Sequence, residues 1–96
     1  MNEPNLTPII DSLIDWATLP PIEENIRVTL HVAVDKLGQV DSVLEIHGHA
    51  DIFNQEALRV AHLLTQLPVI YKRGEFLRKS FFISFVFTRE KQQQLL

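Results

Sequence analysis

The sequence predicts an α+β domain of α-β-β-α-β order: a three-stranded antiparallel or mixed sheet, strand order 2-1-3, with two helices on one face. Apolar residues alternate at period two from Ile26 to Val34 and from Lys79 to Thr88, as half-buried strands require. They recur at three-to-four spacing from Leu6 to Ala17 and from Asp51 to Gln66, as amphipathic helices require. Between two strand-like runs stands Asp35-Lys36-Leu37-Gly38, a turn with a glycine free to take a positive φ. With 96 residues, 46 % of them hydrophobic and 22 % charged, residues 1–96 hold one core and one domain, with 1–5 and 90–96 expected as flexible ends.

The first helix is expected to open at Thr7 as N-cap, with Pro8 at the first helical position. Leu6, Ile9, Ile10, Leu13, Ile14 and Ala17 form its stripe, Asp11, Ser12 and Asp15 its wet side, and Trp16 a packing residue at the stripe's border. Pro20-Pro21 stops it, because the residue before a proline is driven out of the α region.

In the first strand, Ile26, Val28, Leu30, Val32 and Val34 share an apolar face, opposed by Arg27, Thr29, His31, Ala33 and Asp35. After the turn, Gln39 to about Ile46 returns as the second strand. Val40, Leu44 and Ile46 there share a face with Ser42, leaving Val43 outward, and a slip or bulge exchanges the faces. His47-Gly48-His49-Ala50-Asp51 breaks the hairpin and leads into the second helix, from about Asp51 to Gln66. Phe53, Ala57, Val60, Ala61 and Leu64 mark its buried face, with Ile52 and Leu67 beside it. Asn54, Gln55, Glu56, Arg59 and His62 are expected to point mostly to water, and Pro68 ends the helix.

Residues 69–78 read as a connector with a Lys72-Arg73-Gly74 turn and an anchoring aromatic at Tyr71 or Phe76. The last strand carries the heaviest apolar load: Phe81, Ile83, Phe85 and Phe87 on one face, each contributing roughly 1.5–3 kcal/mol if fully buried. Its second face, Phe82, Ser84, Val86 and Thr88, is half apolar and half hydroxyl. The tail from Arg89 to Leu96 is expected to fray or to add a short helical turn.

A right-handed crossover through the second helix sets the last strand beside the first, at a sheet edge. Natural proteins suppress unpaired edges, so an unprotected one points to strand addition by a partner; cover by the tail or by a second copy is the other reading.

Composition excludes several classes. A formal charge of −3 and a pI near 5.7 oppose a nucleic-acid module, which needs a concentrated basic surface. Without cysteine there are no disulfides, thiolate metal sites or cysteine nucleophiles. No apolar run reaches the roughly 20 residues that span a bilayer, and Met1-Asn2-Glu3-Pro4 is not the basic start of a signal peptide. The chain is therefore expected to be cytosolic or cut from a longer protein.

The run Val28 to Val40, a glycine-containing break, Phe53-Asn54-Gln55-Glu56-Ala57-Leu58-Arg59-Val60-Ala61 and then Leu67-Pro68 resembles the C-terminal domain of the TonB/TolA superfamily. The likeness extends from Leu6 to Glu90. The leading helix, Leu67-Pro68, Phe76 and the closing Phe85-Val86-Phe87-Thr88-Arg89-Glu90 bring it closer to TolA than to TonB. The cysteine pair of some TolA domains is absent, and Pro20-Pro21 stands where TonB carries a Tyr-Pro element.

The resemblance implies a non-enzymatic periplasmic module of a proton-motive-force-linked envelope transducer, tethered to the inner membrane by an anchor outside this sequence. It implies binding to extended segments of periplasmic or outer-membrane proteins by β-strand addition. In this chain the expected contact residues are Lys79, Ser80, Phe82, Ser84, Val86, Thr88 and Arg89. Lys72, Arg73 and Arg78 would join Lys79 and Arg89 in a basic rim that speeds encounter with an acidic segment. A TonB-type domain serving outer-membrane receptors, or a small domain that dimerises edge to edge, is the alternative.

The rival class is a metal protein or an enzyme. His47-x-His49-x-Asp51 brings ligand-type residues together, but a zinc site needs about four, and His31 and His62 are expected on other surfaces. For catalysis, Ser80 and Ser84 are strand residues with no His/Asp pair expected in reach, and no glycine-rich phosphate loop is present. No cofactor or metal is expected.

Overall fold

The computed structural model describes residues 6–48, 50–65, 67–77 and 79–95, the side chain of Lys79 excepted. The elements are α1 (Thr7–Leu13), a 3-10 turn (Trp16–Thr18), β1 (Ile26–Val34), β2 (Val40–His47), α2 (Asp51–Leu63), β3 (Ile70–Lys72), β4 (Glu75–Leu77), β5 (Lys79–Phe87) and α3 (Arg89–Leu95). The fold is α+β. Its main sheet has the order β2-β1-β5 with both pairings antiparallel, and β3 and β4 form a second, two-stranded sheet.

The core lies between the sheet and the helices. Val28, Leu30, Val32 and Val34 of β1 meet Ile83, Phe85 and Phe87 of β5, and Phe53, Ala57, Val60, Ala61 and Leu64 close over them from α2. Phe81 is half-buried against the same cluster. Small residues at 57 and 61 let the helix lie close to the strands. Phe87 holds the far end, with Phe53 and Trp16 packed edge-on at 5.2 and 6.0 Å.

The first helix is shorter than its apolar period. Ile14 is extended (ψ 133°), and the chain continues as a 3-10 turn that carries Trp16 into the core, leaving Ala17 and Ile9 exposed. The cause sits on α2. Glu56, expected in water, is only 8 % exposed. It accepts the Asp15 N–H at 2.7 Å and two bonds from Arg59, at 2.8 Å from Nε and 2.7 Å from Nη2. Arg59 Nη2 also donates to the Leu13 carbonyl at 2.9 Å. One side-chain pair thus takes up a donor and an acceptor at the end of α1, as a cap would, from another helix. Burial by itself raises the Glu56 pKa. The Arg59 hydrogen bonds, the Asp15 N–H and the Arg59 charge outweigh it and hold the carboxyl below its ordinary value.

β2 carries two irregularities, between the partners of His31 and Val32 and between those of Ala33 and Val34. They skip Leu44 and Asp41, so Val40, Val43 and Ile46 pair with the core-facing Val34, Val32 and Leu30. Val43 therefore turns toward the core, and Leu44 is the exposed bulge residue, the reverse of the unbulged expectation. The turn before β2 is held by Asp35, whose carboxylate accepts the N–H groups of Leu37 and Gln39 at 2.9 and 3.0 Å. Gly38 takes φ 78° there.

α2 ends at Leu63, before the expected Gln66. Leu64 is extended and buried, and Leu67 turns into the core with its N–H donated to the Gly38 carbonyl at 2.9 Å. The connector is a hairpin, not a loop. Its tip, Arg73 and Gly74, has φ 55° and 80°, the pair of positive values a two-residue type I′ turn needs. Of the two aromatics expected to anchor it, Phe76 is half-buried and Tyr71 exposed, their rings 5.9 Å apart.

The tail forms α3. Thr88 caps it: its Oγ1 accepts the Lys91 N–H at 3.1 Å and its carbonyl accepts that of Gln92. Gln92 is buried. Its Oε1 accepts the Ile22 N–H at 3.0 Å, and its Nε2 faces the carbonyls of Trp16, Leu19 and Pro20 at 3.1–3.4 Å. It therefore fixes the segment around Pro20-Pro21 that no regular element holds. Residues 1–5 and Leu96 of the expected flexible ends lie outside the described residues. Among those described, no helix is long and apolar enough to cross a membrane.

Candidate functional site

The outer edge of β5 follows from the hairpin on the far side of the sheet. Asp35 donates its N–H to the Gln39 carbonyl at 2.9 Å, across to the β2 side. Backbone groups alternate sides along a strand, so Val28, Leu30, Val32 and Val34 turn theirs the other way, toward β5. Their partners are Phe85, Ile83, Phe81 and Lys79. The residues between, Ser80, Phe82, Ser84 and Val86, direct N–H and C=O away from β1. Among the described residues no strand takes them. The Val86 carbonyl confirms the geometry, since it accepts Lys91 Nζ at 3.3 Å from outside the sheet.

The same residues place their side chains on the open face. Phe82, 46 % exposed, stacks on the His31 ring at 4.4 Å and 14°. His31 Nε2 and Ser80 Oγ share a hydrogen bond of 3.0 Å, and Thr29 Oγ1 and Ser84 Oγ one of 3.2 Å. Val86 is half-buried opposite Arg27. Four of the sequence-predicted contact residues, Ser80, Phe82, Ser84 and Val86, are thus brought to one edge and one face together.

The other three are not part of that face. Thr88 lies past the end of β5 with its hydroxyl engaged in the α3 cap. Arg89 is exposed in the first turn of α3 and lines a groove with Pro21, Ile22, Glu23, Gln92 and Gln93. Lys79 pairs with Val34 at the start of β5, and its side chain is outside the description. Of the expected basic rim, Lys72 and Arg73 sit at the β3–β4 tip, and Arg78 is outside the described residues.

Two residues that the sequence did not assign belong to the site. His31, expected on another surface than the His47–Asp51 cluster and given no part in the edge, is set by the β1–β5 register against Phe82 and diagonally against Ser80. The signal was present: His31 occupies the polar face of β1, and an antiparallel neighbour must share that face. The Ser80–His31 pair lies on an open sheet surface, and neither groove described on this chain, one lined by Lys72, Arg73, Glu75 and Leu77 and one by Pro21, Ile22, Glu23, Arg89, Gln92 and Gln93, includes it. Lys91 is the second. It reaches both Val86 O and Asp11 Oδ1, each at 3.3 Å. It went unassigned because the tail was not expected to pack.

His47 is paired with Glu45 at 3.0 Å, and His49 lies outside the described residues. Among those described, no three histidine, aspartate or glutamate side chains are gathered as metal ligands would be.

Comparison with family models, with curated proteins and with solved structures returned no match to this chain.

Proposed function

We propose that this chain is a non-enzymatic protein-binding domain that accepts an extended partner segment as an added strand on β5. The single observation that carries the reading is the inequality of the sheet's two edges. β2 is bulged twice, whereas β5 runs unbulged from Lys79 to Phe87 with the outward backbone groups of Ser80, Phe82, Ser84 and Val86 unmatched by any described strand. Bulges spoil a template for pairing; an unbulged, open edge is one. Backbone bonds along β5 would supply affinity, and Phe82, Ser84 and Val86 would read alternate side chains of the guest.

The β2-β1-β5 sheet, with α2 between β2 and the last strand of the sheet, supports the resemblance to the TonB/TolA superfamily; the β3–β4 hairpin and α3 are additional to the expected α-β-β-α-β order. On that reading the domain works in the periplasm, joined to the inner membrane through a segment outside this sequence, and transmits energy to partners at the outer membrane. It would bind no nucleic acid.

Amide NMR tests this, after light scattering has fixed the oligomeric state. The domain is titrated with periplasm-exposed N-terminal segments of outer-membrane proteins. Shifts confined to the region from Ser80 to Thr88 in a monomer are the expected result. A dimer that already occupies this edge, or shifts elsewhere, overturns the assignment.

A further inference from the structure

Lys91 stands where an added strand must bond. Its Nζ holds the Val86 carbonyl, the last of the outward acceptors on β5, and is held in turn by the Asp11 carboxylate from α1. Both distances are 3.3 Å, long for charge-assisted bonds, and both side chains keep access to water, with 26 % and 21 % exposure. A lysine at a strand edge is a common protection against unwanted pairing. A guest that bonds to Val86 displaces this ammonium. Moving it costs least if the guest brings its own carboxylate.

Building on the strand-adding reading, we propose that Lys91 selects the guest: the preferred partner is an extended segment with an acidic residue at the end that lies beside Val86. Asp11 acts as the resident carboxylate that this acidic residue replaces. The middle of the edge is uncharged, between Lys79 at the start of β5 and Lys91 beside Val86. Ser80, Phe82 and Ser84 carry no charge, and the hydroxyls and ring there suit a neutral, alternating segment. A guest without the acid would leave Lys91 competing for Val86, and would bind more weakly. The surface that recognises its partner thus reaches beyond the strand, onto α3 and α1.

The test uses synthetic nine-residue peptides that alternate threonine and valine, in three forms: neutral, with a glutamate at the first position, or with one at the last. Hydrogen exchange at the amides of Ser80, Phe82, Ser84 and Val86 reports strand addition, and NMR titration gives the affinities. In the unaltered protein, one of the two charged peptides should bind about fivefold more tightly than the neutral one, the range of a partly exposed ion pair. Lys91→Met should abolish this preference and, by freeing the Val86 carbonyl, tighten binding of the neutral peptide. Asp11→Asn, which keeps the backbone carbonyl that Trp16 Nε1 uses, should widen it. Equal affinity for all three peptides with β5 amides protected, an equal gain at both ends, or a preference that survives Lys91→Met overturns the role of Lys91 while strand addition stands. No protection of β5 amides by any peptide, in the unaltered protein or either variant, overturns strand addition and this inference with it.

Discussion

Glu56→Gln is the sharpest test of how the helices are held together. The replacement keeps the shape and leaves one oxygen to accept the Asp15 N–H, but removes the charge that Arg59 Nε and Nη2 bond at 2.8 and 2.7 Å. Hydrogen bonds to charged groups contribute about 1.5–3 kcal/mol each when buried. Here the Arg59 side chain is 47 % exposed, so water replaces part of what is lost. The expected destabilisation at neutral pH is about 1–2 kcal/mol, a fall in Tm of roughly 4–16 °C for a domain of this size.

The pH dependence gives the stricter criterion. The folded-state pKa of Glu56 is lowered, so its contribution is complete above the unfolded value of roughly 4.3 and is lost as pH falls through the folded value. Between those values the unfolded chain binds a proton that the folded one does not, and acid favours unfolding. Urea denaturation of both proteins from pH 7 to pH 3 should show the gap shrinking in the acid range. A gap that stays constant across that range would refute the account of Glu56 as an ionised tie between α2 and α1.

Gln92→Ala should cost about 2–3 kcal/mol, because it leaves the buried Ile22 N–H without its acceptor, and exchange should accelerate at Ile22 before the β1 amides. Gly38→Ala should cost about 1–2 kcal/mol by thermal melting, since φ 78° is strained for any side chain; no loss would mean the turn readjusts. Phe82→Ser with Val86→Thr changes only the open face, so circular dichroism and melting should hardly move while affinity for an added strand falls severalfold. A large loss of stability would place those side chains in the core instead.

The strand periods made most of this fold legible. From Ile26 to Val34 and from Ser80 to Phe87, alternation alone separated the core face from the open one, because a pleated strand offers two sides. The bulges of β2 were harder, since Val43 and Leu44 are both apolar and only pairing decides which is skipped. Glu56 is buried against the sequence expectation, since a carboxylate on a helix is usually solvated; the Asp15 N–H and Arg59 that bond it lie 41 positions away and three positions away. Gln92 and Lys91 escaped notice for the same reason. Gln92 bonds distant backbone groups, and Lys91 bonds the Val86 carbonyl and the carboxylate of Asp11 far off in the sequence; neither leaves a pattern in a polar tail. Within the site, the strand supplied Phe82, Ser84 and Val86 directly, whereas His31 needed the β1–β5 register.

The doubly bulged β2 also limits how many chains one sheet can join. Joining β5 of one molecule to β2 of the next would be head-to-tail, leaving a fresh β5 at every step, and could grow without end. The skipped residues Asp41 and Leu44 break the ladder on that side. What remains is β5 against β5, which closes after two molecules, or β5 against a single guest. On the strand-adding reading, the main sheet would offer one unbulged edge, so that a guest on β5 and a β5–β5 dimer would exclude each other.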